Sequence, residues 1–563
     1  MRRLAALVLA LSPVIVGCAA VPTSGPVYQG EDVGVEETNQ VIRVIARSPR
    51  PGMTPSEIVS GFVEASASFE NDHAIAREYL TPNAAVTWDP ALGSTVYEGV
   101  PAIVPDGLTT VGLTASEAGT IAEDGRYQVS PVGREVSLSM TVEFIDGEWR
   151  IANPPPGLLL SRSDVDRAYR PYDVYFFDPT FSTLVPDSRL FAISGPSAAT
   201  ALLRALVAGP SQWLAPAVRS SLPDGSTLAV DAVPVIEGTA RVDFDPALRL
   251  ADDATRRAIS AQVVWTLRQA PGVRFVDINA GGQPLNVPGT PNPQPINSWP
   301  DVDPNRMPDG SAAYGVVYGR AVKLDGTAPL PVPGGAGLAS PPLSGIAVTL
   351  DTALIAGLDA DARLWTAETA AGTTAALAID EPGLSRPSYG GGQVPWVVSA
   401  EGSILRAEED GTTLTVPIDG LSAKATIESI AISRDSTRAA LIVRRGERSF
   451  VMVAVIALRE GVPRLQSPVR VDNRLNAVTD VAWADSDTLA VLGADGASTP
   501  AVYLVDMSRW TLRSIGAPLD ALRVGAAPGA DILASTADGW IYSFNTGPWL
   551  RDVRATGPAY PGS

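Results

Sequence analysis

From about residue 314 to residue 549, short apolar runs recur between Asp-Gly, Gly-Gly and Ser/Asp turns, and they recur with a period. Ser344-Gly345-Ile346-Ala347-Val348 precedes Ala353-Leu354-Ile355-Ala356. Ser429-Ile430-Ala431-Ile432-Ser433 precedes Ala439-Ala440-Leu441-Ile442-Val443, and Thr479-Asp480-Val481-Ala482-Trp483 precedes Thr488-Leu489-Ala490-Val491-Leu492. Weaker copies start near Pro387 and Leu522. A period of about 40 to 50 residues is the length of a four-stranded propeller blade. A β-sandwich with coincidental spacing is the alternative, but radial closure is what keeps so many short strands from exposing their edges. Five blades are visible, and a strand around Val316 to Tyr318 could close a sixth, so a β-propeller is expected over residues 314–555.

Residues 291–313 crowd prolines with Asn, Gly and Asp, the composition of a stiff, extended linker. Before it, residues 171–290 read as a small α+β domain. Tyr172 to Phe177 and Arg189 to Ile193 are strand-like, and Pro196 to Ala208 is a helix stopped by Gly209-Pro210. A second helix over Asp253 to Gln269 puts Ile259, Val263 and Leu267 on one face. Five segments in order, Leu184-Val185-Pro186-Asp187, Ala208-Gly209-Pro210-Ser211, Leu222-Pro223-Asp224-Gly225-Ser226, Ala240-Arg241-Val242-Asp243-Phe244 and Val264-Trp265-Thr266-Leu267, resemble the GerMN domain of spore-germination proteins. The resemblance implies a binding module.

Residues 41–160 form a further α+β unit. Thr54-Pro55-Ser56-Glu57 combines an N-cap, a first-position proline and a capping-box glutamate, with Ile58, Phe62 and Phe69 following at near-helical spacing. A short helix is expected from Asp72 to Leu80, ending at Thr81-Pro82. Alternation then marks strands at Tyr127 to Val129, Val136 to Phe144 and Trp149 to Ala152, the last after an Asp146-Gly147 turn. Helices followed by a curved antiparallel sheet resemble the NTF2-like fold. The fold class is therefore multidomain α+β and all-β.

The N-terminus carries the strongest functional signal. Arg2 and Arg3 precede an apolar run from Leu4 to Val16, too short to span a bilayer but suited to a signal peptide covering residues 1–17. Ile15, Val16 and Gly17 then lead into Cys18, the only cysteine of the 563 residues. This segment resembles a lipobox, which implies signal-peptidase recognition at Ile15-Val16-Gly17 and lipidation of Cys18 as an S-diacylglycerol cysteine with an N-acyl chain such as palmitate. Two or three chains at about 0.8 kcal/mol per buried CH2 make a durable anchor. Residues 18–40 are polar and rich in Gly and Pro, a flexible tether reaching about 25 Å on average.

Enzyme chemistry lacks parts. His73, the sole histidine, is expected to be a surface or cap-adjacent residue, with no second His to build a zinc site or a catalytic triad. Gly195-Pro196-Ser197 imitates a nucleophile elbow but lacks its last glycine, and Asp301-Val302-Asp303 opens like a calcium loop that then has Arg306 and Ala312 at its sixth and twelfth positions. No catalytic residue, metal or cofactor is expected. With 61 acidic against 42 basic residues, a net charge of −19 argues against nucleic acid as a partner.

The order of lipobox, tether, α+β unit, GerMN-like domain, linker and propeller resembles the actinobacterial LpqB lipoprotein family along nearly the whole chain. That resemblance implies a cell-membrane lipoprotein, anchored on the extracytoplasmic face, that engages the extracytoplasmic domain of the sensor kinase MtrB and modulates MtrA/MtrB signalling in envelope homeostasis and division. Two alternatives stay open: an envelope glycan or peptidoglycan hydrolase, marked by facing carboxylates at the propeller mouth, and a solute-binding lipoprotein, marked by a deep aromatic-lined pocket.

Overall fold

A computed structural model of the chain describes residues 46–192, 197–325, 328–496 and 498–563. The first body starts at Thr54, whose side chain accepts the Glu57 N–H while the Glu57 carboxylate accepts the Thr54 N–H at 2.7 Å; this is the expected capping box. The helix it opens, Pro55–Ser66, turns Ile58, Val59, Phe62 and Val63 inward. The next helix is shorter than the sequence suggests. Asn71, Asp72 and His73 all have positive φ, so helical geometry begins only at Ala74 and lasts one turn, Ala74–Arg77. Pro82 then starts a third helix, Pro82–Thr87, where it was expected only to end one; its missing N–H costs nothing at a first position and Thr81 caps it.

These helices pack on an antiparallel sheet ordered Glu148–Ile151, Glu135–Ile145, Thr110–Ile121 and Ser94–Pro105, with Leu158–Ser161 added in parallel and Tyr127–Val129 at the side. The long hairpin Ser94–Pro105 with Thr110–Ile121 was not legible, because most of the outer half of its first strand is exposed and carries no inside-outside alternation. A second capping box, Ser161 with Asp164, opens the helix Arg162–Ala168, and the chain enters the second body almost at once.

The second body begins with the hairpin Arg170–Phe177 and Leu184–Phe191. Helices Ser197–Ala208 and Asp253–Leu267 pack against it and against a second sheet, in which Thr239–Phe244 pairs in parallel with Phe275–Ala280. Ile259, Val263 and Leu267 are fully buried, as their helical spacing requires. The stretch 291–313 is not a free linker. Gln294–Pro295 pairs with Phe275–Ala280, Trp299 is 6% exposed within the same core, and its indole N–H donates to Gln294 Oε1 at 2.9 Å while its carbonyl accepts from the Trp265 indole. Prolines stiffen this segment, but Trp299 gives it enough apolar surface to dock; a pre-stiffened chain loses less entropy on docking.

The third body is a propeller of six blades. Inner strands Ser344–Val348, Thr426–Ile432, Leu475–Trp483 and Ala521–Gly525 match four of the five repeat starts; near Pro387 the innermost position is held only by Ser388, which forms an isolated bridge to Trp396 of the next strand, Trp396–Val398. The sixth inner strand, Thr556–Ala559, comes from the C-terminal end and pairs with Ala313–Val317, so that the first blade mixes both ends of the domain. This closing pair extends the propeller past residue 555, and Tyr318 lies in a turn at positive φ outside the closing strand. Ala439, Leu441 and Val443 are fully buried between neighbouring blades, where each large aliphatic side chain contributes about 1.5–3 kcal/mol.

Candidate functional site

Cys18 and the lipobox residues Ile15, Val16 and Gly17 lie outside the described residues, as do Gly195 and Pro196; Ser197 opens a helix. His73 does occupy the cap position before Ala74–Arg77, yet it makes no side-chain cap bond and is buried, contrary to the surface expectation. Its ring lies edge-on to Phe69 and Trp88, at 4.9 and 5.8 Å between centroids, and burial holds its pKa below the ordinary value. It is a core histidine. Asp301 pairs with Arg257 at 2.7 Å and Asp303 accepts the Asn305 N–H, and among the described residues no group of three or more His, Cys, Asp or Glu gathers as a metal site.

The propeller axis is filled from within. The Arg434 guanidinium donates to the carbonyls of Pro561, Trp483 and Ala526 at 3.2 to 3.3 Å, and burial pushes its pKa down to about 10. The last residues tuck in beside it: Gly562 donates to Val348, and the Ser563 carbonyl accepts from Tyr389. Gly391 belongs here because a Cβ would collide with the Arg434 carbonyl. Toward the neighbouring blades, Arg386 sits 3.5 Å from Asp480, whose carboxylate also accepts the Val524 N–H.

Carboxylates converge elsewhere, where the second body meets the fifth blade. A cleft of about 410 Å³ is lined by Asp173 from the second body and by Asp485, Asp487 and Asp506 from the propeller. Asp485 accepts the N–H groups of Asp487 and Thr488, and Asp506 those of Ser508 and Arg509, so both are committed to turns. Burial raises the Asp487 carboxyl well above the usual carboxylate range, and the charges of Asp173 and Asp485 raise it further. Burial likewise raises Asp173, offset in part by the Ser188 hydroxyl and Arg438. In both carboxyls the shift favours the neutral form, as burial and neighbouring like charge require.

Tryptophans placed in polar turns complete the seam. The Trp213 indole donates to the Ser467 carbonyl at 2.8 Å, with the Arg126 guanidinium 4.0 Å over its ring. Trp510 stacks near Tyr127 at 5.4 Å, and its carbonyl accepts from Arg162. Asn473 donates to Ser130, and Asn305 accepts the Ser486 N–H at 2.8 Å. Contacts of this kind merge the described bodies into one compact unit. The sequence reading named neither the acidic cleft nor these tryptophans; Trp213 after Ser211-Gln212 and Trp510 after Ser508-Arg509 were the available signal, since a large ring in a polar turn needs a surface to cover it.

The chain is similar to known proteins along its whole length. Residues 48–166 match the family described as Lipoprotein LpqB, N-terminal domain, residues 319–561 match Lipoprotein LpqB beta-propeller domain, and residues 173–286 match Sporulation and spore germination. It is 32% identical to Lipoprotein LpqB of Thermobifida fusca, covering 98% of this chain and 97% of that one. It is 30% identical to Lipoprotein LpqB of Mycobacterium tuberculosis, over 87% and 86% of the two chains. Among solved structures, TolB from Acinetobacter baumannii overlaps 45% of this chain and 66% of its own, at 15% identity and a TM-score of 0.36.

Proposed function

Because this chain belongs to the LpqB lipoprotein family, we propose that it is anchored through acylated Cys18 on the extracytoplasmic face of the cell membrane. There it docks on the extracytoplasmic domain of the sensor kinase MtrB and modulates MtrA/MtrB signalling in envelope and division control. The observation that carries the docking role is the joining of the described bodies through Trp213, Trp510 and Asn305 into one block, which presents a broad, pre-formed surface at little ordering cost. No described helix is long and apolar enough to cross a membrane; in this reading the acyl chains on Cys18 supply the attachment. A tether of about 25 Å confines the block and a membrane-embedded kinase to one thin layer, raising their effective concentration so that a modest interface suffices.

The hydrolase alternative expects facing carboxylates at the propeller mouth; the described axis instead holds Asp480 beside Arg386 and a lattice of carbonyls around Arg434. The solute-binding alternative expects an aromatic-lined pocket, and the second body has one, which is compatible with docking through other surfaces.

Crosslinking in intact cells tests the docking. Photo-crosslinkers at exposed positions of the block are expected to capture MtrB, and Cys18→Ala is expected to release the protein and weaken both crosslinking and signalling. Normal signalling by the unanchored variant would overturn the confinement mechanism, and absence of MtrB from every crosslinked product would overturn the partner.

A further inference from the structure

The second body contains a cavity of about 580 Å³ that the seam leaves open. Its lining combines small residues of helix Asp253–Leu267, Ala254, Ala258 and Ala261, with the aromatic residues Phe177, Phe181 and Trp299. Small and aromatic apolar residues around one cavity suit a flat apolar body, and the volume lies in the range of small-molecule sites.

Phe181 is presented to this cavity at a conformational cost. Its φ of 58° is left-handed, a backbone region that bulky side chains avoid outside strained or functional turns. Asp178 imposes it: this carboxylate, 6% exposed, accepts the N–H groups of Thr180, Ser182 and Thr183 at 2.7 to 3.0 Å and so winds the loop around itself. Phe181 is 46% exposed and its ring lies tilted at 34° against Phe177, 5.3 Å between centroids, so an aromatic side chain is held beside an apolar cavity without being buried in it.

The polar groups of the lining divide into two kinds. Ser221 donates its N–H and its hydroxyl to Gln262 Oε1, and Ser220 Oγ accepts from Gln262 Nε2, so the two serines are held by Gln262. At the rim, Arg257 is the one cation among the lining residues. Its guanidinium lies 4.6 Å from the Trp299 ring centroid and pairs with Asp301 at 2.7 Å, with both side chains about half exposed. A solvent-screened pair of this kind is exchangeable; an incoming anion can replace Asp301 without leaving a buried charge behind.

We propose that this cavity binds a small amphiphile whose aromatic or alicyclic body lies against Phe181, Trp299 and the helix alanines, with one anionic group taken by Arg257. The site rests on the cavity alone, and kinase docking could fail without affecting it.

Anilinonaphthalene sulfonate has this chemistry, a flat apolar body with one anion. The test uses the whole chain with Cys18→Ala, which removes the acyl chains and leaves every folded residue in place. Saturable one-site binding is expected, seen as dye enhancement with quenching of tryptophan emission. Ala258→Trp fills the cavity and should weaken binding about tenfold or more, and Phe181→Ala about tenfold, with the cooperative thermal transition retained as the folding control. Arg257→Gln should weaken the sulfonate dye and leave neutral phenylnaphthylamine unchanged. No saturable binding, or binding that both cavity variants leave intact, would overturn the site; equal loss of both dyes in Arg257→Gln would overturn the anion assignment. If Ala258→Trp does not fold, Phe181→Ala decides, since Phe181 is exposed and lies outside the hydrophobic core of the second body.

Discussion

Buried charge is handled in opposite ways inside the propeller and at its seam with the second body. In the fourth blade, burial alone would raise the Asp435 carboxyl, but Arg438 at 2.5 Å and the hydroxyls of Ser433 and Thr437 outweigh it and hold the carboxyl below the ordinary value. At the seam, Asp173 and Asp487 face each other and further carboxylates, and their pKa values rise. Arg438 reaches toward Asp173 but is already committed to Asp435. Inside the propeller the buried Asp435 is matched by Arg438, whereas at the seam a surplus of one sign shifts the carboxyls toward their neutral form. The seam is therefore the part of the block that solution conditions can tune.

The largest effect should come from breaking a matched pair. Asp435→Ala leaves the Arg438 charge buried and should cost about 3–5 kcal/mol, read as a lower unfolding midpoint in denaturant. An unchanged midpoint would erase the contrast between the two regions. Next comes the seam's tryptophan: Trp213→Ala removes an indole hydrogen bond and a cation–π contact and should cost about 1–2 kcal/mol, with faster proteolysis in the turn around Ser467.

Third is pH. A carboxyl whose folded value is raised favours the assembled seam in its neutral form, so the seam is tightest below the ordinary carboxylate range and loosens as pH rises through the elevated value of Asp487. The groups facing it are Asp173, Asp485 and Asp506, with Arg438 and the exposed Arg509 at the edges. Protection of the amides across residues 485–488, taken after correcting exchange for its intrinsic rise with pH, should fall as pH rises in the native chain and stay level in Asp487→Asn; native protection that is already level would mean that the carboxylates are relieved in another way. The smallest effect is expected for Arg204→Ala, which breaks an exposed pair with Asp231 and should leave the thermal midpoint unchanged.

How much was legible follows the range of the forces. The Thr54–Glu57 capping box, the helical face of Ile259, Val263 and Leu267, and the repeat starts at Ser344, Ser429 and Thr479 depend on neighbours within a few residues or on self-similarity, and the structure shows each. Where a residue's fate depended on what lay across space, the reading failed. His73, expected at the surface or beside a cap, does stand at the cap but is buried against Phe69 and Trp88; the proline-rich stretch looked like a spacer and docks through Trp299; the propeller looked finished at residue 555 and is closed by Thr556–Ala559.

The sequence alone determined that this chain is built from two α+β bodies and a propeller, and its order of motifs determined the family. Those properties are written in spacing, which survives without knowledge of contacts. Only the tertiary structure decided that Asp173 and Asp487, more than three hundred residues apart, share a cleft, that Arg434 and the C-terminal residues fill the propeller axis, and that Phe181 stands beside an open cavity. Proximity of distant side chains arises from how packed faces meet, and no local pattern encodes it.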